Sequence, residues 1–141
     1  MLKPDFLVNF RSSSSCNRER QIINSRAWIQ TAMNLSKNIE TKPYNAEKLK
    51  GYLPELRGMT VKESKVFLPR MNEIFSECGI AFILLPHLKN LGVNGAVKWV
   101  TEDRVVLAMN NRGLDADKFW FSLSHEIKHV LQQKIKIVFI I

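Results

Sequence analysis

From Asn17 to Lys37 the apolar residues Ile22, Ile23, Ala27, Ile29, Met33 and Leu35 recur at a roughly helical interval, which predicts one long helix. Pro43 breaks that pattern. Ala46 to Leu56 follows as a short helix, with Leu49, Tyr52, Leu53 and Leu56 along one side. Thr60-Val61-Lys62-Glu63 has the form of a capping box, Thr60 as N-cap with Glu63 reaching back, so the next helix is expected to begin there. That helix carries Phe67, Leu68, Met71, Ile74 and Phe75 and is expected to stop near Gly79, a residue suited to the position just past a helix end.

The period then changes. Ile80 to Leu85 is an unbroken apolar run ended by Pro86, as in a buried strand. Gly95 to Val100 and Arg104 to Met109 flank the polar turn Thr101-Glu102-Asp103 and predict a hairpin. Asp115 is placed to cap a helix from Ala116 to about Gln133, and Lys134 to Ile141 reads as the start of a further strand. There are no internal repeats. The expected fold class is α+β: N-terminal helices, a small three-stranded and mostly antiparallel sheet, then a long amphipathic helix. Residues 1–41 read as a basic helical arm or linker with the low-complexity run Ser12-Ser13-Ser14-Ser15, and residues 44–141 as the main domain.

Composition narrows the class without fixing the function. With 45% hydrophobic and 24% charged residues, the 141-residue chain has the make-up of a globular protein. Its 21 Lys and Arg against 13 Asp and Glu give a net charge of +8. That field permits a nucleic acid or an acidic protein as partner and equally suits a surface that only keeps the protein in solution. Cys16 and Cys78 fit no metal-site spacing and are expected to be reduced thiols, Cys78 buried. Neither a signal peptide nor an apolar stretch of membrane-spanning length is visible, so a cytoplasmic protein with no membrane partner is expected.

The residues that change the picture are His125-Glu126-Ile127-Lys128-His129. In a helix, positions i and i+4 lie on one face, so the two imidazoles can converge on one metal ion. Glu126 stands one step round, where a carboxylate can take a proton from metal-bound water. Two surface histidines one turn apart would give the same spacing with no metal. Phe119, Trp120, Phe121 and Leu123 before the motif, and Val130 and Leu131 after it, make the carrier an amphipathic, buried helix. Lys128 flanks the ligand face, so its cation must turn to solvent if a metal is to bind.

Catalytic zinc uses three protein ligands and a water. Val130 to Ile141 holds no Asp, Glu, His or Cys. Upstream, His87 reads as a structural or exposed histidine, Asp115 and Asp117 begin the motif helix too far from its ligand turn, and Glu102 and Asp103 read as solvated turn residues. No third ligand is assigned.

Phe119 through Leu131 resembles the active helix of the ImmA/IrrE-type metallopeptidases, with closer similarity to long HigA-like regulators in which that domain follows a helix-turn-helix. Gly79 to Pro86, Gly92 to Trp99 and Asn110-Asn111-Arg112 agree with it, so the resemblance covers roughly residues 44–139. It implies a zincin-like helix with Zn²⁺ on His125 and His129, Glu126 as general base, and a cytoplasmic protein substrate, typically a repressor. In the fused regulators it implies instead a non-catalytic antitoxin or transcription-regulator module with a toxin partner, DNA being met only through the helix-turn-helix. Three departures stand out. Lys128 occupies a position that is usually Gly, the acidic third ligand has no counterpart, and residues 1–40 offer no helix-turn-helix. The sequence is therefore expected to be the middle of a longer protein, binding zinc weakly and hydrolysing peptides little.

Overall fold

The computed structural model describes residues 18–87, 91, 93–111 and 117–132. Its elements are α1 (Arg18–Ser36), α2 (Ala46–Gly58), a 3₁₀ turn (Met59–Val61), α3 (Ser64–Glu77), β1 (Ile80–Leu85), β2 (Gly95–Thr101), β3 (Arg104–Asn110) and α4 (Asp117–Gln132). The α+β class is as the pattern predicted. The further strand expected from Lys134 and the cap expected at Asp115 lie outside the described residues.

Sheet order is β1-β3-β2. The predicted hairpin forms as the antiparallel pair β2/β3, with an irregularity between Trp99 and Thr101. β1, however, pairs with β3 in parallel, from Ile80 opposite Val105 to Leu85 opposite Asn110. The sheet is therefore mixed, not mostly antiparallel: β3 inserts between the two strands that precede it and becomes the centre.

Every residue of β3 from Val105 to Asn110 is buried, so both faces of the sheet need a cover. Side chains alternate across a strand, and the two covers divide them accordingly. Ile80, Phe82, Val97, Trp99, Val105, Leu107 and Met109 face α2, α3 and α4 in the larger core. Ala81, Ile83, Leu85, Ala96, Val106 and Ala108 face α1, which sets Trp28 and Ala32 among them. The α1 part of the basic arm read from the sequence thus supplies a layer of the fold, with Ile23 and Leu35 left on its exposed side. Its C-terminal end is held by Arg104, whose guanidinium donates to the carbonyls of Ser36 and Ile39 and to Thr41 Oγ1. A cation at the C-terminus of a helix also meets the negative end of its dipole.

α2 starts where expected, with Asn45 Oδ1 accepting from the Lys48 amide at 3.1 Å. The capping box at Thr60 does not form. Thr60 Oγ1 instead donates back to Arg57 O at 2.9 Å, within the 3₁₀ turn that buries Met59. α3 begins four positions later at Ser64, with Glu63 at its N-cap and no side-chain capping bond. Burying Met59 overrides the local capping preference. Arg70 on α3 reaches both carboxylate oxygens of Glu55 on α2, at 2.6 and 3.1 Å, and so ties the two helices together. These bonds hold the Glu55 carboxyl below its ordinary range. Among the described residues, no helix is long and apolar enough to cross a membrane.

Gly79 ends α3 in the left-handed region, at φ 86°. A Cβ there would lie 2.3 Å from both N and Cα of Tyr44, a backbone clash with no side chain to yield. The room is used: the Tyr44 amide donates to Asp103 O at 2.9 Å and the Asn45 amide to Cys78 O at 3.0 Å. Gly79→Ala is therefore expected to destabilise the fold by roughly 2–4 kcal/mol, from left-handed strain plus displacement of the Tyr44 backbone. Denaturant unfolding checks this, and a loss under about 0.5 kcal/mol, the range of a surface substitution, would contradict it.

Cys78, fully buried next to that glycine, has its thiol pushed up to about 11, chiefly by burial, with Lys48 opposing and Glu77 adding. Burial, and then Cys78, raise the Tyr44 hydroxyl in the same direction. Acids whose folded pKa lies above the unfolded one favour folding while protonated. Their contribution is whole below the thiol's ordinary 9.0 and is lost as pH rises through about 11. Unfolding free energy measured between pH 8.5 and 11.5 is expected to fall, with Cys78 accounting for roughly 1–2 kcal/mol of the loss. Cys78→Ala should flatten that slope. An unchanged slope would assign the loss elsewhere.

Candidate functional site

α4 packs on β2 and β3 through one stripe: Phe119, Ser122, Leu123, Glu126, Ile127 and Val130 are all buried. Phe67 of α3 stacks on Phe119 at 6.5 Å between centroids and meets Trp120 at 5.0 Å, which pins the first turns of the helix. With these anchors the helix cannot rotate about its own axis, and the rotation decides where each motif residue points.

His125 is exposed and His129 half-buried at the edge of the stripe. Their Nε2 atoms lie 2.9 Å apart, with ring centroids at 4.5 Å and planes inclined by 76°. Two imidazole nitrogens at that separation either share one proton or converge on one cation. Tetrahedral zinc with bonds of roughly 2.0–2.1 Å asks for nitrogens about 3.3 Å apart, so a small rotation of either ring suffices. The pair fits two positions of a metal shell.

Glu126 takes the inward direction. It is 0% exposed. A Cβ on Gly95 would come 3.2 Å from Glu126 Cγ and 2.6 Å from Met109 Sδ, so this glycine at the start of β2 is the gap into which the glutamate stem fits. The glutamate stem therefore packs against the start of β2, on the inward side of α4.

Among the described residues, the other candidate acids and histidine form no metal-holding group with the pair. Glu102 and Asp103 are exposed in the hairpin turn and Asp117 is exposed at the first residue of α4. His87 follows β1, its amide donating to Asn111 Oδ1 at 3.2 Å. Among the described residues, no group of three or more His, Cys, Asp or Glu is placed to hold a metal ion.

Sequence reasoning gave no site role to the polar residues around the turns of α4 before the pair. Asn94, Asn110, Lys118 and Ser122 line a small cleft against Met109 and Phe119, one to two turns of α4 before His125. Buried Asn110 donates from Nδ2 to Val93 O at 2.7 Å, and the Asn111 amide donates to Leu85 O at 2.8 Å. The Asn110-Asn111 step thus ties the ends of β1 and β3 to the segment before β2. Two asparagines closing a buried strand were the available signal. Lys128 is exposed and turned toward α2, where it lines a groove with Arg57, so the cation inside the motif is accommodated on the flank away from the imidazoles. No protein-family model, curated protein or solved structure matches the chain.

Proposed function

We propose that α4 is the metal-binding helix of a zinc metallopeptidase-like domain, with His125 and His129 as ligands and Glu126 as the proton-accepting carboxylate. The observation that carries this reading is the approach of the two Nε2 atoms to 2.9 Å, one helical turn apart and next to an inward-facing glutamate. A cytoplasmic protein substrate of repressor type is the part of the proposal that rests on the resemblance of residues 119–131. When bound, Zn²⁺ would supply Lewis acidity that brings the pKa of a coordinated water to about 7. The chain's own part is to hold the imidazoles rigidly through the buried stripe of α4 and to keep one carboxylate out of bulk water beside them. With two protein ligands assigned, affinity falls well short of a complete site and hydrolysis is slow.

One observation favours a second reading, a non-catalytic regulator or antitoxin-type module with a toxin partner. Glu126 is as buried as the core leucines around it, a setting that serves anchoring of α4 as well as proton transfer. In that reading DNA contact belongs to an attached helix-turn-helix domain rather than to residues 18–132.

Titration of the metal-free protein with Zn²⁺, and with Co²⁺ as a visible reporter, separates these. One equivalent is expected to bind with a dissociation constant on the order of 1–100 μM. His125→Ala and His129→Ala should each weaken binding at least about tenfold without loss of fold, since both side chains lie outside the core. Unchanged affinity in either variant would overturn the metal assignment. Glu126→Gln is expected to retain the metal and to abolish whatever peptide hydrolysis the chain shows. Hydrolysis that survives the substitution would remove Glu126 from the chemistry, whereas a chain that binds the metal and hydrolyses no peptide would leave the regulatory reading.

A further inference from the structure

α4 has a second functional-looking flank. Successive residues turn by about 100°, so Trp120, Ser124, Lys128 and Leu131 lie on the opposite side of the buried stripe from His125 and His129, with Ile127 at the stripe's edge between. Between this flank and α2 lies a groove of about 290 Å³. Leu53, Leu56, Trp120 and Leu131 form its walls, while Arg57 and Lys128 stand at its rim. The Trp120 ring is fixed in place by Phe67 and by an edge contact with Phe119 at 5.6 Å, so the wall is preformed.

The charges are as informative as the shape. Among the described residues, no carboxylate lines the groove. Among the described residues Arg57 and Lys128 enter no ion pair, although Arg70, Lys42, Lys48, Lys50 and Lys65 nearby in α2, α3 and their flanks are all paired with glutamates. Two cations without a described acidic partner, at the mouth of an apolar trough, select a ligand with one anionic end and one greasy end. The size selects further. A helix with its side chains is about 10–12 Å across and would seat only a few residues in this space, whereas an alkyl chain of about ten carbons fits within it.

We propose that the α2–α4 groove binds an amphipathic monocarboxylate with a medium-length apolar tail, the tail along Leu53, Leu56, Trp120 and Leu131 and the carboxylate between Arg57 and Lys128. This site is independent of the metal reading, because none of its residues is a proposed ligand.

The test is a calorimetric and fluorescence titration of the full chain with decanoate, decanol and decyltrimethylammonium, all below their micelle concentrations. Decanoate should saturate at one per chain and shift the tryptophan emission, and the shift should vanish in Trp120→Phe while calorimetric binding remains. Decanol should bind at least about tenfold more weakly and the cationic amphiphile should not bind. The double variant Arg57→Gln/Lys128→Gln, exposed at both positions and expected to melt like the parent, should bring decanoate down to the affinity of decanol and leave decanol unchanged. Equal affinity for decanoate and decanol in the parent, or decanoate affinity untouched in the double variant, would overturn the proposal. So would decanoate binding that requires two chains per ligand, since the groove would then be a contact between copies.

Discussion

A helix of 16 residues can offer any face to a sheet, and the rotation of α4 about its axis is what the rest of the site depends on. Phe119, Leu123 and Val130 fix that rotation by burying one stripe against β2 and β3. From it follow an outward imidazole pair, an inward Glu126, and a third flank, carrying Lys128, turned toward α2. A change of about one residue in that rotation would bury a histidine in place of the glutamate. Van der Waals packing of apolar side chains thus sets the geometry of the polar ones.

Two features outside the helix make this rotation possible. Gly95 leaves the gap that the glutamate stem occupies, and Phe67, packed on Phe119 and Trp120, keeps the first turns from rolling. Both lie far from the motif along the chain, in β2 and α3. The chemistry of one pentapeptide is therefore prepared by residues that carry no chemistry themselves.

Much of this was legible in the chain because the relevant signals are local. The apolar run Ile80 to Leu85 marks a strand covered on both sides, and the apolar blocks around Thr101 to Asp103 mark a hairpin. The i, i+4 histidines were equally visible, since they depend on nothing but helicity. What stayed hidden depends on contacts distant in sequence. The parallel pairing of β1 with β3 is decided by which strand edge the chain returns to, and no short window records that. Thr60 had the right neighbours for a capping box, but burial of Met59 drew its hydroxyl back to Arg57 instead. Full burial of Glu126 and the groove beside Lys128 likewise arise only when α4 meets β2 and α2.

Arg104 bears on how the molecule comes together. Its guanidinium joins the hairpin to the end of α1 through hydrogen bonds spanning 63, 65 and 68 residues of sequence. Loops of that length close late, after the local turns and the hairpin have formed. The α1 layer, seated over the small side chains Ala81, Ala96 and Ala108, is on that ground expected to be laid down last in folding. By the same reasoning it is expected to lift first in a native-state opening, with the α2–α3–α4 side of the sheet and its histidine pair left in place.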